Sequence, residues 1–358
     1  MNYQKWNNIL GWLVFAIAAY TYVSTVEPTA SFWDCGEYIA TSYRLEVGHP
    51  PGAPTFLLVG RLFSMFASPE NVAYSVNLIS ALSSAFTILF LFWTITALAR
   101  KLFSAKGSSE ELTQGDTIAV FGSAIIGSLA YTWSDTFWFS ATEGEVYALS
   151  SMITAITFWA ILKWESIAHE PKADRWIILI AYLVGLSIGI HLLNLLAIPA
   201  VAYVIYFKKF KPNIKGLIIA GVAGLITLGG IQSFIIPKVV SWAASFEFVM
   251  VNSFGLPFHM GSVIFIVLML GAVVFGIQYT MKKNKPIWHT SLLSFLVLII
   301  GYSSFVLIMI RSNANTPIDE NNPENLVNLL SYLNREQYGD FPLLYGQYFN
   351  SPLDKETP

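Results

Sequence analysis

The chain of 358 residues is 55% hydrophobic and only 12% charged, with a net charge of −2 and a single cysteine. Soluble domains carry about 25% charged residues, so the composition excludes an ordinary soluble fold and points to an all-α, polytopic membrane protein. Cys35 has no partner for an internal disulfide and leaves no basis for a cysteine metal site.

Apolar stretches close to the roughly 20 residues a spanning helix needs predict nine transmembrane helices. They fall at 8–26, 72–99, 117–133, 146–164, 176–191, 192–207, 215–236, 261–281 and 288–310. The apolar stretch from Ala53 to Ala67 is short and carries Arg61. It predicts an interfacial helix in the first outer loop. Charge supports this count by the positive-inside rule. With the N-terminus inside, the inner connections hold Lys5, Arg100, Lys101, Lys106, Lys163, Lys172, Arg175, Lys208, Lys209, Lys211, Lys215, Lys282, Lys283 and Lys285, fourteen of the 20 basic residues. The outer side keeps Arg44, Arg61, Lys238, Arg311, Arg335 and Lys355. The first helix reads as an uncleaved anchor.

The character changes after Ile310. Residues 1–310 read as a transmembrane domain and 311–358 as an outer-side polar tail, the start of a further soluble domain. Within the tail, Asn322, Pro323 and Glu324 predict a cap, an N1 proline and an acidic first turn. Leu326, Leu329, Leu330 and Leu333 follow at helical spacing.

Most acidic residues fall on the outer side. The polar stretch SFWDCGEYIATSYRLEVGHPPGAP, Ser31 to Pro54, holds Asp34, Glu37, Arg44 and His49. Asp34 and Glu37 are three apart, so one helical turn places them on one face. Two close carboxylates at a low-dielectric surface raise at least one pKa and supply a general base. The bland reading is a solvated acidic helix N-terminus. The aromatic loop Trp133–Leu149 carries Glu143 and Glu145 and suits either an interface belt or a sugar-stacking wall. His191 and Asn194 lie at the third outer turn, as site residues or as hydrogen-bonded core. Arg311 and Arg44 read as snorkelling arginines or as phosphate clamps, and Arg61 carries the same pair of readings. No phosphate-binding loop, dinucleotide fingerprint or metal ligand set is visible.

An acidic pair in the first outer loop, a following interfacial helix and a multi-span bundle resemble the GT-C glycosyltransferases. More closely, SFWDCGEYIATSYRLEVGHPPGAPTF, FWFSATEGEVYAL, GLSIGIHLLNLLAIPA and RSNANTPIDENNPENLVNLLSYLNREQYGD resemble a Bacteroidota membrane family known as a domain of unknown function. That family is related to a eukaryotic protein O-mannosyltransferase acting on plexin-type receptor domains. The resemblance implies an inverting transferase that moves a mannose-like hexose from a polyprenyl-phosphate donor to a Ser/Thr hydroxyl of an exported protein. It implies Asp34 as the base and Glu37 as its partner. Arg44, His49, Glu143, Glu145, His191, Asn194 and Arg311 are the substrate-binding candidates. No cofactor is expected beyond the lipid-linked sugar substrate, and no nucleic acid. The expected location is a bacterial inner membrane with the site on the periplasmic side. The competing class is a transporter or flippase, which would place charge near the bilayer midplane and show internal repeats. A third is a silent membrane scaffold.

Overall fold

The computed structural model describes residues 2–104, 112–339, 346 and 348–351. Lys106, Lys355 and most of the tail beyond Gly339 lie outside the described residues. Fifteen α-helices follow one another among the described residues: α1 (Tyr3–Val23), α2 (Cys35–Arg44), α3 (Pro54–Ser64), α4 (Val72–Ser104), α5 (Gln114–Thr132), α6 (Asp135–Thr142), α7 (Val146–Ile167), α8 (Arg175–Ile188), α9 (Ile198–Lys209), α10 (Ile214–Gly230), α11 (Ile236–Phe254), α12 (Met260–Lys282), α13 (Pro286–Tyr302), α14 (Val306–Ser312) and α15 (Leu326–Leu333). The one extended pairing described is a parallel bridge between Val47 and Asp319.

The molecule is an integral membrane protein. Six helical stretches are long and apolar enough to cross a bilayer, or seven if α5 and α6, bent by 62° at their junction, form one span. Nine were expected. The difference lies in two elements. The first turns of α1 carry Lys5, Asn7 and Asn8, which dilute its apolar run. α8 has only 14 residues, about 21 Å of helix against a hydrocarbon core of about 30 Å. α3 has 11 residues and is likewise too short to cross.

Two helices escaped the sequence reading. α6 occupies the stretch read as an aromatic loop. α10 continues through one π turn, Ile231–Ile235, into α11, giving 41 helical residues where a single span ending at 236 was expected. Pro237 sits in the first turn of α11. Its missing N–H and bulky ring would break a regular ladder, and the wider turn before it absorbs the mismatch. The start of α15 also differs from expectation. Asn325, not Asn322, caps it, accepting the N–H groups of Val327 and Asn328. Asn322 is occupied elsewhere: its side chain accepts from Ser312 and its backbone carbonyl from Asn328.

Three buried clusters hold the bundle. Val14, Ala18 and Tyr22 of α1 pack with Ala85, Ile88 and Phe92 of α4 and Val120 and Ala124 of α5. Phe56 and Leu57 of α3 pack against Val76 and Ile79 of α4 and Val146 and Leu149 of α7. The third joins Trp164, Val184, Leu298 and Tyr302 to Leu329 and Tyr332 of α15, so the tail helix belongs to the core. Gly185 and Gly301 let α8 and α13 touch, since a Cβ at Gly185 would meet the Leu298 carbonyl oxygen at 2.2 Å. The loops leaving α1, α2, α6, α8 and α14 gather at one end of the bundle. Glu27 N–H donates to the Thr142 carbonyl, Thr55 to Gly189 and Val47 to Ile318.

Candidate active site

Asp34 stands at the N-cap position of α2, but its side chain makes no capping bond. Its carboxylate is therefore uncommitted, and its side chain is 56% exposed. Trp33 before it has φ 60°, a left-handed backbone that a bulky residue rarely adopts. Such strain gathers at functional sites.

One turn along α2, Glu37 points back toward the loop that follows the helix. Its Oε1 accepts the His49 backbone N–H at 2.6 Å and lies 3.0 Å from His49 Nδ1. The other ring nitrogen, Nε2, lies 3.8 Å from Asp34 Oδ2. One imidazole thus bridges both carboxylates. Gly48 makes this approach possible, because a Cβ there would sit 2.3 Å from Glu37 Oε1. The turn itself is pinned by the tail. The Tyr332 hydroxyl donates to the Gly48 carbonyl at 2.6 Å and lies 3.3 Å from that of His49. Gly52, at φ +70°, passes so close to Tyr332 and Ile308 that a side chain would collide.

The pair shifts both partners. Burial pushes Glu37 up, but the hydrogen bonds and charge of His49 outweigh it and leave the carboxyl below its ordinary range. His49 is raised above its ordinary value by its hydrogen bond to Glu37, against burial, and by the charges of Glu37, Asp34 and Glu320. An ion pair is the favoured state.

Glu143 and Glu145 flank the entry to α7 and are both buried. Glu145 is pushed up to about 7 by burial, then by the charges of Asp34 and Glu143. Glu143 is raised by burial, against a hydrogen bond with Ser31, and its Oε2 has no partner. These two acids therefore belong to the Asp34 group. Cys35 is buried, with its thiol 3.6 Å from Asn77 Oδ1. The Asn77 amide donates to the carbonyls of Glu27 and Thr29. Asn77 thus ties the loop before Asp34 to α4.

His191 packs against Tyr147, one residue into α7, with ring centroids 5.2 Å apart and the planes tilted by 58°. Its Nδ1 accepts from Leu193 N–H. Burial and then the charge of Arg335 hold its pKa below the ordinary value, which favours the neutral imidazole. Asn194 is fully buried and donates to Ser187, a partner within its own hairpin. Arg44 and Arg311 lie at the far end of α2, about 15 Å of helix from Asp34, in a pocket shared with Arg61.

Three further residues lie near this centre: Glu320, one of the outer-side acids that follow the last span, and Tyr332 and Arg335, which the sequence does not mark as site residues. Glu320 feels the charges of Glu37 and Asp34, Arg335 reaches the surroundings of His191, and Tyr332 holds the His49 turn. All come from the tail; Glu320 lies in its polar stretch TPIDENNPENL, while Tyr332 and Arg335 follow beyond it.

Asp34, Glu37 and His49 each offer a ligand-type atom, all within 4.8 Å of one another. A divalent cation could share that set only by displacing the proton between Glu37 and His49 Nδ1. Glu37 and His49 already satisfy each other in charge and hydrogen bonding, and Asp34 stays free to take a proton, so proton chemistry fits the three better than metal binding.

The family model described as "Protein O-mannosyl-transferase TMEM260 N-terminal domain" matches residues 34–214, a stretch that opens on Asp34. The mouse protein O-mannosyl-transferase TMEM260 is 25% identical over 175 residues, which is 49% of this chain and 22% of that protein. The Dictyostelium discoideum protein O-mannosyl-transferase tmem260 is 24% identical over 245 residues, 63% of this chain and 27% of its own length. The chain spans about a quarter of the length of these curated relatives. No solved structure gives a significant match. The family match covers just over half of the chain, and on that ground the chain belongs to the family of the protein O-mannosyl-transferase TMEM260 N-terminal domain.

Proposed function

We propose that this chain is the membrane part of a glycosyltransferase. It moves a mannose-like hexose from a polyprenyl-phosphate donor to a Ser or Thr hydroxyl of an exported protein. The donor's tail stays in lipid, and the reacting end meets the loops gathered around Asp34, on the outer side of the membrane. The observation that carries this reading is the free, exposed Asp34 carboxylate beside the Glu37–His49 pair.

Asp34 removes the acceptor hydroxyl's proton. The oxygen attacks the anomeric carbon from the side opposite the phosphate. The bond from that carbon to the phosphate oxygen breaks, and its electron pair leaves with the phosphate. A single displacement of this kind inverts the configuration. Asp34 returns its proton to solvent. Glu37 holds His49 charged and oriented, and His49 and Arg335 supply positive charge for the departing phosphate. Buried Glu145, titrating near neutrality, limits the negative charge packed around Asp34.

The test uses full-length protein in membranes with radiolabelled polyprenyl-phosphate mannose and a Ser/Thr-bearing acceptor domain. Transfer of label with inverted linkage is expected. A protein that consumes no lipid-linked sugar, yet moves a labelled lipid between leaflets, would replace this reading with a flippase.

A further inference from the structure

α2 ends at Arg44, and the chain turns there through Leu45 in a left-handed conformation, φ 52°. Three arginines converge on this helix end from three segments. Arg44 is the last residue of α2. Arg61, from α3, donates to the Tyr43 carbonyl and lies over the Tyr43 ring. Arg311, from α14, donates through Nε to the Leu45 carbonyl and through Nη2 to that of Arg44, 3.2 Å away. Together with Tyr43 and Leu45 they line a cavity of about 430 Å³.

Part of this arrangement is capping. The last carbonyls of a helix lack partners, and cations there suit the dipole. Capping uses few of the donors, however. Each guanidinium carries five N–H groups, and the carbonyls take one from Arg61 and two from Arg311. Among the described residues, no carboxylate pairs with any of the three. Ion pairs among the described residues join His49 to Asp34 and Glu37, and Lys101 to Glu165. Three like charges in one cavity repel unless an anion joins them.

The surroundings identify the anion's carrier. α3 and the turn after it bring Leu58, Leu62, Met65 and Phe66 to the surface, 44%, 55%, 62% and 85% exposed. On a membrane protein this apolar surface meets hydrocarbon, so Arg61 marks the boundary where headgroups lie. The site is also distinct from the reacting centre. A base reaches its proton at about 3 Å, and the attacked carbon lies about 3 Å further. A transferring phosphate therefore sits within a few ångströms beyond that, while Arg44 is about 15 Å of helix from Asp34.

We propose that Arg44, Arg61 and Arg311 form a second anion site that takes the phosphate of an anionic phospholipid headgroup. The site ties the end of α2 and the start of the His49 turn to the membrane surface. The proposal rests on the membrane reading of the chain and not on glycosyl transfer.

The experiment is lipid binding to the full chain in neutral detergent, counted by native mass spectrometry. The probes are short-chain phosphatidylglycerol, short-chain phosphatidylcholine, inorganic phosphate and a polyprenyl phosphate. Phosphatidylglycerol is expected to bind at least about tenfold more tightly than phosphatidylcholine, since charge-assisted bonds are worth that much. Arg44→Gln with Arg61→Gln should remove the preference. Arg311→Lys keeps the charge and loses the fork, and should weaken it less. Asp34→Asn should leave it unchanged, which separates this site from the transfer chemistry. Circular dichroism confirms that each variant is folded. The proposal is overturned if Arg44→Gln with Arg61→Gln binds phosphatidylglycerol as wild type does, or if inorganic phosphate binds as tightly as the lipid. It is also overturned if those substitutions abolish only polyprenyl-phosphate binding.

Discussion

Glu37 and Glu247 are built alike and do different things. Each accepts the backbone N–H of a histidine twelve residues further on, His49 in one case and His259 in the other. At Glu247 the second oxygen takes the Ser262 N–H at 2.6 Å and the Ser262 hydroxyl at 2.8 Å. The His259 ring turns away onto Phe258, 4.8 Å between centroids. The carboxylate is then a fixed cap on the first turn of α12, where an anion suits the helix dipole. At Glu37 the second donor is the His49 ring itself, whose other nitrogen faces an uncommitted carboxylate. The same backbone device yields a lock when a hydroxyl completes it. It yields a proton-handling group when an imidazole does, because only the imidazole titrates near neutral pH.

The comparison breaks most sharply at Asp34. Asp34→Asn keeps shape and hydrogen bonding but cannot take a proton. We expect sugar transfer to fall about 10²–10⁴-fold with folding intact. Wild-type transfer by this variant would remove Asp34 as base and move the role to a neighbouring acid. Glu37→Gln should cost less, about tenfold or more, because it releases His49 without removing the base. Loss equal to that of Asp34→Asn would make Glu37 the proton acceptor instead.

The Glu37–His49 pair also predicts how stability follows pH. His49 is raised above its ordinary 6.5, so its contribution is complete below about that pH and fades as pH climbs through the raised value. Glu37 is lowered below its ordinary 4.5, so its contribution is complete above that pH and fades as acid reaches the lowered value. The difference in thermal midpoint between wild type and His49→Gln should be greatest between pH 4.5 and 6.5. A difference that keeps growing toward pH 9 would contradict the ion pair. Glu145 offers a smaller effect. With its carboxyl near 7, the wild-type pH–activity profile should bend there, and Glu145→Gln should remove the bend while changing the maximal rate only a few-fold. A bend that survives in Glu145→Gln belongs to another group.

What the sequence could show of this centre follows from chain distance. Asp34 and Glu37 are one helical turn apart, so spacing alone placed them together. Glu143 and Glu145 joined them because both loops end on the same side of the bundle. The bridging by His49 was not legible, since it depends on a turn that Gly48 and Gly52 allow and Tyr332 pins from 283 residues away. Arg44 and Arg311 were each readable as phosphate ligands. Their meeting, 267 residues apart, and their distance from Asp34 arise only from packing. Asn194 reads as a site residue because it sits in a turn beside His191; its amide nitrogen donates to Ser187 and its buried Oδ1 has no partner among the described residues. α11 was hidden because Pro237 ends a helix in any local reading. The π turn that rescues it carries no sequence signature.

The smallest expected effect on activity is at Glu247, and it is the one that sharpens the contrast. Glu247→Gln replaces a charged acceptor by a neutral one. An amide oxygen in place of Oε2 can still take both Ser262 donors, N–H and hydroxyl, leaving the His259 N–H without its acceptor. The amide nitrogen then faces donors where an acceptor is needed. Leaving such a buried donor unmatched costs about 1–3 kcal/mol, and this should appear as a lowered thermal midpoint. Transfer at a temperature well below that midpoint should stay within about twofold of wild type, because nothing at Glu247 reaches Asp34. Glu37→Gln should show the opposite division, a small loss of stability with a large loss of rate. Measuring both variants for melting and for transfer places each carboxylate on one side of the comparison. A Glu247→Gln protein that melts like wild type but transfers tenfold more slowly would show that the α11–α12 corner takes part in the reaction, and the two sites would no longer be lock and proton handler.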